Sequence, residues 1–537
     1  MKRSEIPLLL AASLVFADAT IVTLALPDLL VDLRTTVYGV AAVLGVYTAT
    51  LGSGALPAAW LVRRAGCLRT GTAALCAFSL ASLACAFANG LVVLLAARAV
   101  QGVAGALILT IAGATLAARR SWISIAVLSA AIGPVVGGAL TQAFSWRAIF
   151  IAQAPMTLVA AAFRKRWSDV PPATASRGRV NSRPLLVLGL VSGALTALLF
   201  GVVLLLVVGW AMRPLSAALA VTLVPVAAFL GSRVAAWCAE ERVVAGCALI
   251  GGGVGALAFL PSNDVAWLVA PECIAGFGMG LALSPLLEHI LPERAYENRA
   301  ANLAVRHLGI TLALLALAPV IAHDLDAATE RAKLRTVAVV LDAPIQPGEK
   351  LKVARVLVSS VRSDHPLAAV RVQARSARDE VPGVDRPGFD SMFHRVETVF
   401  VGAAADAFHR AFLIAAAFAL LAALILILDT ARLAWGLTMI AAGLVVIGAQ
   451  ALVDRYAAPP AVRIADPCRP RKLPHAGGLT GITQALVLRA LDVAACRLGV
   501  SREELVLALA DKSEAERFRR RHGIDPKSFQ ALLRLIG

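Results

Sequence analysis

Charge is scarce in this sequence. Only 16 % of its 537 residues are Asp, Glu, Lys or Arg, against 59 % hydrophobic, with a mean hydropathy of +0.78. A soluble chain of this length would form about two to four domains and need a far more polar surface, so the shortage points to a polytopic membrane protein. Acidic residues are scarcer than basic ones, 34 against 51, which leaves a net charge of +17. In a soluble chain that excess would suggest nucleic acid. In a membrane chain it is what cytoplasmic loops need to fix orientation, so no nucleic-acid partner is expected. The eight histidines are scattered, and six cysteines (Cys67, Cys76, Cys85, Cys238, Cys247, Cys273) lie in or beside apolar runs without ligand spacing. Neither a metal site nor a cofactor is expected. Gly251 to Gly255 reads GGGVG inside an apolar run, with no strand before it, and suits helix packing better than a dinucleotide loop. No soluble-enzyme constellation appears, and the chain is not expected to be an enzyme.

What the sequence has in abundance is long apolar runs. They fall near 6–30, 38–61, 70–89, 91–118, 122–143 and 147–163, then near 184–212, 214–237, 243–261, 266–290, 302–322 and 404–428. Each is long enough to cross a hydrocarbon core of about 30 Å. The first run follows Lys2 and Arg3 like a signal peptide, but it continues past Asp18 and is too long for one. Lys2, Arg3, Arg63, Arg64, Arg69, Arg119 and Arg120 gather in alternate turns, against Arg34, Asn89 and Arg147 in the others. The basic side, with the N-terminus, is expected to be cytoplasmic. The fold class expected is an all-α polytopic membrane protein with six-helix bundles at 1–163 and 184–428, joined by a polar, basic cytoplasmic linker at 164–183.

Two additions break this symmetry. An insert at 323–403 separates the eleventh and twelfth runs, with apolar spacing such as Leu351, Val353, Val356 and Leu357 that suggests helices. By the alternation it lies outside the cytoplasm. The region 429–453 supplies a thirteenth crossing, which would put a small helical tail domain at 454–537 outside too. In that tail a helix from Thr480 stops before Gly499. Ser501 with Glu504 and Ser513 with Glu516 have capping-box spacing, and Asp525-Pro526 reads as another helix start. A domain with so little core benefits from a staple, and outside the cell Cys468 with Cys496 is the disulfide candidate. The alternative is a pair of reduced cysteines in a cytoplasmic tail.

Charges within the spans are the informative residues, because each is expensive in lipid. Asp18 lies about half-way down the first run, where burial suits a carboxyl for carrying protons; the plainer reading is a structural Asp bonded to Thr20 or a neighbouring helix. Arg98 in the fourth run would tune that carboxylate, with Gln101 adding hydrogen bonds, or else snorkel to the membrane surface. Glu272 in the tenth run is a second titratable or cation-attracting group, or an exposed rim residue. Glu288, His289, Arg306 and His307 look like interface charges at an inner turn, and Asp406, His409 and Arg410 like a solvated helix face. Gly133, Pro134, Gly137 and Gly138 sit inside apolar sequence, where small residues permit close helix contact.

These residues fall into patterns. Asp18, Thr20, Ile21, Val22, Ala25, Leu26 and Pro27 give D-x-T-I-V-x-x-A-L-P, and Arg98, Gln101 and Gly102 give R-x-x-Q-G. Gly133, Pro134, Gly137 and Gly138 give G-P-x-x-G-G, followed by W-R-x-I-F at Trp146 to Phe150 and then Pro155. In this order they resemble the major facilitator superfamily, most closely its drug:proton antiporters with fourteen helices, over about residues 8–430. The resemblance implies two six-helix bundles, proton coupling through Asp18 and Arg98, and a hinge at Gly133 to Gly138. There are departures. Of the family's G-x-x-x-D-R-x-G-R-[KR] loop only Arg64 and Gly66 remain, with Arg63 in place of the acid. Gln153 stands where Asn is usual, and the central helix pair is absent.

Two functions are in view. One is a secondary transporter in the lipid bilayer of the cell, exporting a small amphipathic or cationic molecule in exchange for protons, with Gln101 and Glu272 as candidate substrate contacts. The other is a transporter-derived scaffold or sensor that binds an envelope protein partner through its insert and tail.

Overall fold

The protein's structure, a computed structural model, describes residues 6–116, 121–162, 182–234, 237–287, 296–345, 350, 366–380, 386–428, 433–471 and 479–526. The N-terminal Lys2 and Arg3, Arg119, Arg120, the linker as far as Asn181, Glu288 and His289 lie outside them. So do Leu351, Val353, Val356 and Leu357 and any helix following Pro526. The described residues divide into two compact units. One is Met1–Val208, Met212–His323 and Phe408–Ala457, and the other is Gly209–Ala211, Asp324–Ala407 and Ala458–Gly537.

A chain in lipid must satisfy its own backbone, so the apolar runs fold as helices. The first seven are α1 (Ile6–Thr23), α2 (Leu26–Asp32), α3 (Val37–Ala65), α4 (Cys67–Ala86), α5 (Leu91–Leu116), α6 (Ser121–Ala143) and α7 (Trp146–Ala162). They are followed by α8 (Ser182–Leu204), with a π turn to Gly209, then α9 (Pro214–Val221), α10 (Leu223–Ser232), α11 (Ala239–Ala256), α12 (Ala266–Pro285) and α13 (Tyr296–Leu341). After the insert helix α14 (Pro366–Glu380) come α15 (Arg386–Ile427) and α16 (Leu433–Ala457). Among the described residues nine spans are long and apolar enough to cross a membrane, and α1 with α2, bent by 59°, makes a tenth. The other three expected crossings are filled by α6, by α7 with 17 residues and by α11 with 18. The bend falls where Pro27 has no N–H to give to Thr23, while Leu24 and Ala25 donate instead to Ile21 and Val22.

Close packing explains the small residues of α6. A Cβ on Gly133 would overlap Thr20 Oγ1, and one on Gly137 would overlap the Ile21 carbonyl, so this face of α6 lies directly on α1. Gly138 faces the other way, where a Cβ would meet Ala218 Cβ at 2.8 Å and the Pro214 carbonyl at 2.9 Å on α9. The glycine pattern is therefore a contact between α6 and one helix of each bundle. A second meeting of the bundles lies between α3 and α13, where Thr48 and Thr311 hydroxyls are 2.9 Å apart. At the end of α5, Arg299 Nη1 of α13 donates to the Gly113 carbonyl at 2.7 Å. The thirteenth crossing, α16, is peripheral: Gly443 packs on the Ala248 carbonyl of α11, and Gln450 Nε2 donates to the Phe259 carbonyl at 3.0 Å. Little of this helix is buried in protein.

The second unit joins the insert to the tail helices α17 (Leu479–Leu498), α18 (Arg502–Ala510) and α19 (Lys512–His522). Cys468 and Cys496 form a disulfide with 4.9 Å between their Cα atoms, pinning the lead-in segment to α17. Gly499 ends α17 with φ +67, a left-handed conformation that glycine adopts without strain. Ser501 caps α18 by accepting from Glu504 N at 3.2 Å, but the Glu504 side chain pairs with His522 at 2.9 Å rather than closing a capping box. The box expected at Ser513 and Glu516 does not form. Asp511 caps α19, because its carboxylate is placed to accept from both Ser513 N (2.8 Å) and Glu514 N (3.2 Å).

Insert and tail are tied by charge. Arg502, fully buried, donates through Nη2 to Asp342 Oδ1 at 2.7 Å, and Arg517 Nη1 donates to Glu330 Oε2 at 2.9 Å. Glu503 is also fully buried, 3.0 Å from Arg502, and Arg471 pairs with Asp492. Removing one member of such a set leaves buried charge uncompensated, at a cost of about 3–5 kcal/mol. Arg502→Ala in the full-length protein is therefore expected to make the tail sensitive to limited proteolysis while the membrane helices stay protected. Unchanged protease resistance would show that the pairing does not hold the unit together.

Candidate functional site

The first bundle buries a cluster of polar side chains from five helices. Asp18 of α1 and Arg98 of α5 are both fully buried, with Arg98 Nη1 2.6 Å from Asp18 Oδ2. Asp18 Oδ1 accepts from Gln153 Nε2 of α7 at 2.7 Å, so both carboxylate oxygens are engaged. Arg98 Nη1 also donates to Gln101 Oε1 (2.9 Å), and its Nε to the Val43 carbonyl of α3 (3.3 Å). Gln101 Nε2 donates to Ser82 Oγ of α4 at 2.8 Å and to Gln153 Oε1 at 3.3 Å, while Cys85 Sγ donates to Gln101 Oε1 at 3.3 Å.

Helical spacing brings these groups together. Arg98 and Gln101 lie one turn apart on α5, as do Phe150 and Gln153 on α7, so each pair shares a face. The guanidinium sits 4.1 Å from the Tyr47 ring centroid and 5.8 Å from that of Phe150, a cation–π enclosure that shields it from lipid. Tyr47 is held by its hydroxyl, which donates to the Val15 carbonyl at 3.0 Å. Trp146 Nε1 and Arg147 Nη1 both donate to Asp32 Oδ2, at 2.8 and 3.0 Å, fastening the start of α7 to the end of α2.

The plainer reading of Asp18 holds in one half: Thr20 donates to the Ala17 carbonyl at 2.8 Å rather than holding Asp18, which is bonded by the neighbouring helices α5 and α7 instead. Arg98 does not snorkel, because it pairs with a carboxylate within the protein. Gln101 is fully buried with its oxygen and nitrogen both committed, which leaves it no free group for a substrate in this conformation. Gln153, Ser82, Cys85 and Tyr47 were missed as members of the cluster. Only Gln153 carried a signal, as an amide at a patterned position; the others look like ordinary small or aromatic core residues.

Glu272 stands apart, in the second bundle. The rim role is excluded because its side chain is fully buried, on the face of α12 where Gly276, one turn on, lies against the Val224 carbonyl of α10. Among the described residues neither of its carboxyl oxygens has a hydrogen-bond partner. Asp406 and Arg410 are exposed as expected, whereas His409 Nδ1 is 2.9 Å from the Ala258 carbonyl. His307 is buried with Nδ1 3.0 Å from the Leu303 carbonyl, so it is a helix-bonded core residue rather than an interface charge. Among the described residues no group of three or more His, Cys, Asp or Glu is placed to hold a metal ion.

A buried Asp–Arg pair gains less from attraction than is lost when one partner is removed, about 3–5 kcal/mol. Arg98→Met should therefore lower the melting temperature in detergent markedly. Asp18→Asn with Arg98→Met should recover much of the loss, since no lone charge remains. Equal loss in single and double variants would show that the two side chains do not act as a pair.

The sequence profile of the Major Facilitator Superfamily matches residues 8–322. The methylenomycin A resistance protein of Streptomyces coelicolor is 31 % identical over 227 residues, 40 % of this chain and 46 % of that protein. The multidrug resistance protein Stp of Mycobacterium tuberculosis is 30 % identical over 171 residues, 29 % of this chain and 32 % of that protein. The putative multidrug resistance protein MdtD of Serratia proteamaculans is 30 % identical over 154 residues, 27 % of this chain and 32 % of that one. The chain thus matches less than half the length of these relatives. Among solved structures, a bacterial homologue of the human lysosomal transporter Spinster aligns with a TM-score of 0.48 at 16 % identity, covering 80 % of this chain and 99 % of that one. The profile match takes in more than half of the sequence and every helix that builds the buried Asp18–Arg98 cluster: the chain belongs to the major facilitator superfamily.

Proposed function

We propose that the protein is a secondary active transporter that exports a small amphipathic or cationic molecule in exchange for protons, by rocking of its two bundles around a midplane cavity. The observation that carries this reading is the fully buried Asp18–Arg98 pair with its shell of Gln101, Gln153 and Ser82. A charged pair inside lipid is costly, and its use in a transporter is to switch partners between conformations. Resistance and multidrug resistance in the names of the relatives favour export. The bundles meet through small residues and hydroxyls, Gly138 on α9 and Thr48 on Thr311, contacts that part at little cost. Gly133 and Gly137 let α6 bend and slide on α1 as the hinge.

The test is transport of the lipophilic cation tetraphenylphosphonium by the full-length protein in liposomes under an imposed pH gradient. Asp18→Asn is expected to reduce gradient-driven flux at least about tenfold, which corresponds to 1.4 kcal/mol. Gly137→Leu, which forces a side chain into the Ile21 carbonyl, is expected to insert normally but not to transport. Undiminished flux in Asp18→Asn would remove the coupling role, and undiminished flux in Gly137→Leu the hinge.

The insert and tail belong to one compact unit, joined by the pair between buried Arg502 and partly exposed Asp342, and this supports placing both on one side of the membrane. On this reading two crossings, α15 and α16, separate them, with the N-terminus cytoplasmic and the C-terminus external. The Cys468–Cys496 disulfide suits an oxidising compartment. This unit is the part of the chain that favours the alternative scaffold reading, with an envelope protein as partner. Reporter fusion at the C-terminus is expected to give alkaline phosphatase activity, which needs export. Activity only from a cytoplasmic reporter would overturn the arrangement.

A further inference from the structure

Asp18 and Glu272 are both fully buried acids within the spans, yet their surroundings are opposite. Asp18 has a cation and an amide, one on each oxygen. Glu272 has neither on either oxygen among the described residues. An ionised carboxylate in that position would forfeit its hydration with nothing in return, a far larger penalty than an unpaired neutral acid suffers.

No described neighbour offers it a counter-charge. The helices whose packing against α12 is described are α9, α10 and α11. α9 and α10 hold no titratable side chain between Pro214 and Ser232. On α11 the groups are Glu240, Glu241, Arg242 and Cys247. Gly253 is the α11 residue that meets Pro271 and Ala275, so Arg242 lies eleven residues away, about 16 Å along the helix. Cys273 is the other titratable group on α12. Beyond these helices, His409 of α15 is committed to the Ala258 carbonyl and stacked edge-on to Phe259. The face that Glu272 shares with Gly276 packs on the backbone of α10, where a Cβ on Gly276 would meet the Val224 carbonyl.

We infer that Glu272 is a proton-binding site of the second bundle, occupied by a proton in this conformation while Asp18 is paired with Arg98. The inference deepens the antiporter reading and rests on it only for the use to which the proton is put. One conformation would then hold the exchangeable proton in the second bundle and a closed ion pair in the first, and release of the Glu272 proton requires a movement that brings water or a cation to α12. The residue acts by binding the proton itself.

Infrared spectroscopy of the full-length protein in liposomes, in light and heavy water, tests this without any substrate. At neutral pH a carbonyl stretch of a protonated carboxyl is expected in the wild type, shifted by deuterium, abolished in Glu272→Gln and retained in Asp18→Asn. Glu272→Gln is near-isosteric and neutral, and its melting temperature should match the wild type. If that variant does not fold, Glu272→Asp serves, with the band expected to move in frequency. A wild type without the band, a band unmoved by either Glu272 variant, or one lost in Asp18→Asn would overturn the assignment. Failure of gradient-driven transport with the band present would instead refute antiport and leave the proton site standing.

Discussion

The burial of one guanidinium organises the first bundle. Arg98 cannot shed its charge, so the helices around it must supply a carboxylate, carbonyls and ring faces without help from water. They do so from α1, α3, α4, α5 and α7, and every polar group recruited needs a partner of its own. Gln101 and Gln153 act as brackets, each amide joining Arg98 or Asp18 to a further helix. The orientation of four helices around α5 therefore follows from satisfying one cation in a medium that cannot solvate it.

The second bundle is built without such a centre. Its helices come together through glycine contacts, Gly246 with Gly278 and Gly276 and Gly280 against the backbone of α10, and the acid it contains is left unbonded. Dispersion between closely approaching backbones replaces ionic bracing. The contrast between the halves is physical: a polar knot in one, and in the other a buried acid that no described residue bonds.

Outside the spans the physical problem reverses. The insert and tail are polar segments with a small apolar core, including Val500, Leu505, Ala508 and Phe518, and they are closed by a disulfide and by ion pairs such as Arg517–Glu330. A small core leaves little margin, so covalent and ionic ties take a larger share. Asp511 shows how local such choices are. A carboxylate two residues ahead of Ser513 caps the helix first, placed to accept from Ser513 N and Glu514 N, so Ser513 lies inside the helix rather than at its cap.

By itself the sequence determined the helical architecture, because apolar runs of fixed length in lipid have few ways to satisfy their backbones. It also determined the family, because Asp18, Arg98, Gln101 and the G-P-x-x-G-G run stand in a fixed order. It marked the glycines of α6 as contact residues, since nothing else explains Gly at that depth. Only the tertiary structure decided partners. That Gln153, Ser82 and Cys85 complete the Arg98 cluster depends on side chains from separate helices meeting, and nothing in the local pattern of α4 distinguishes Ser82 from any other small residue. Whether Asp18 or Glu272 is bonded was equally hidden: both are single acids in apolar runs, and the difference between them is a cation contributed from eighty residues away in one case and from nowhere described in the other.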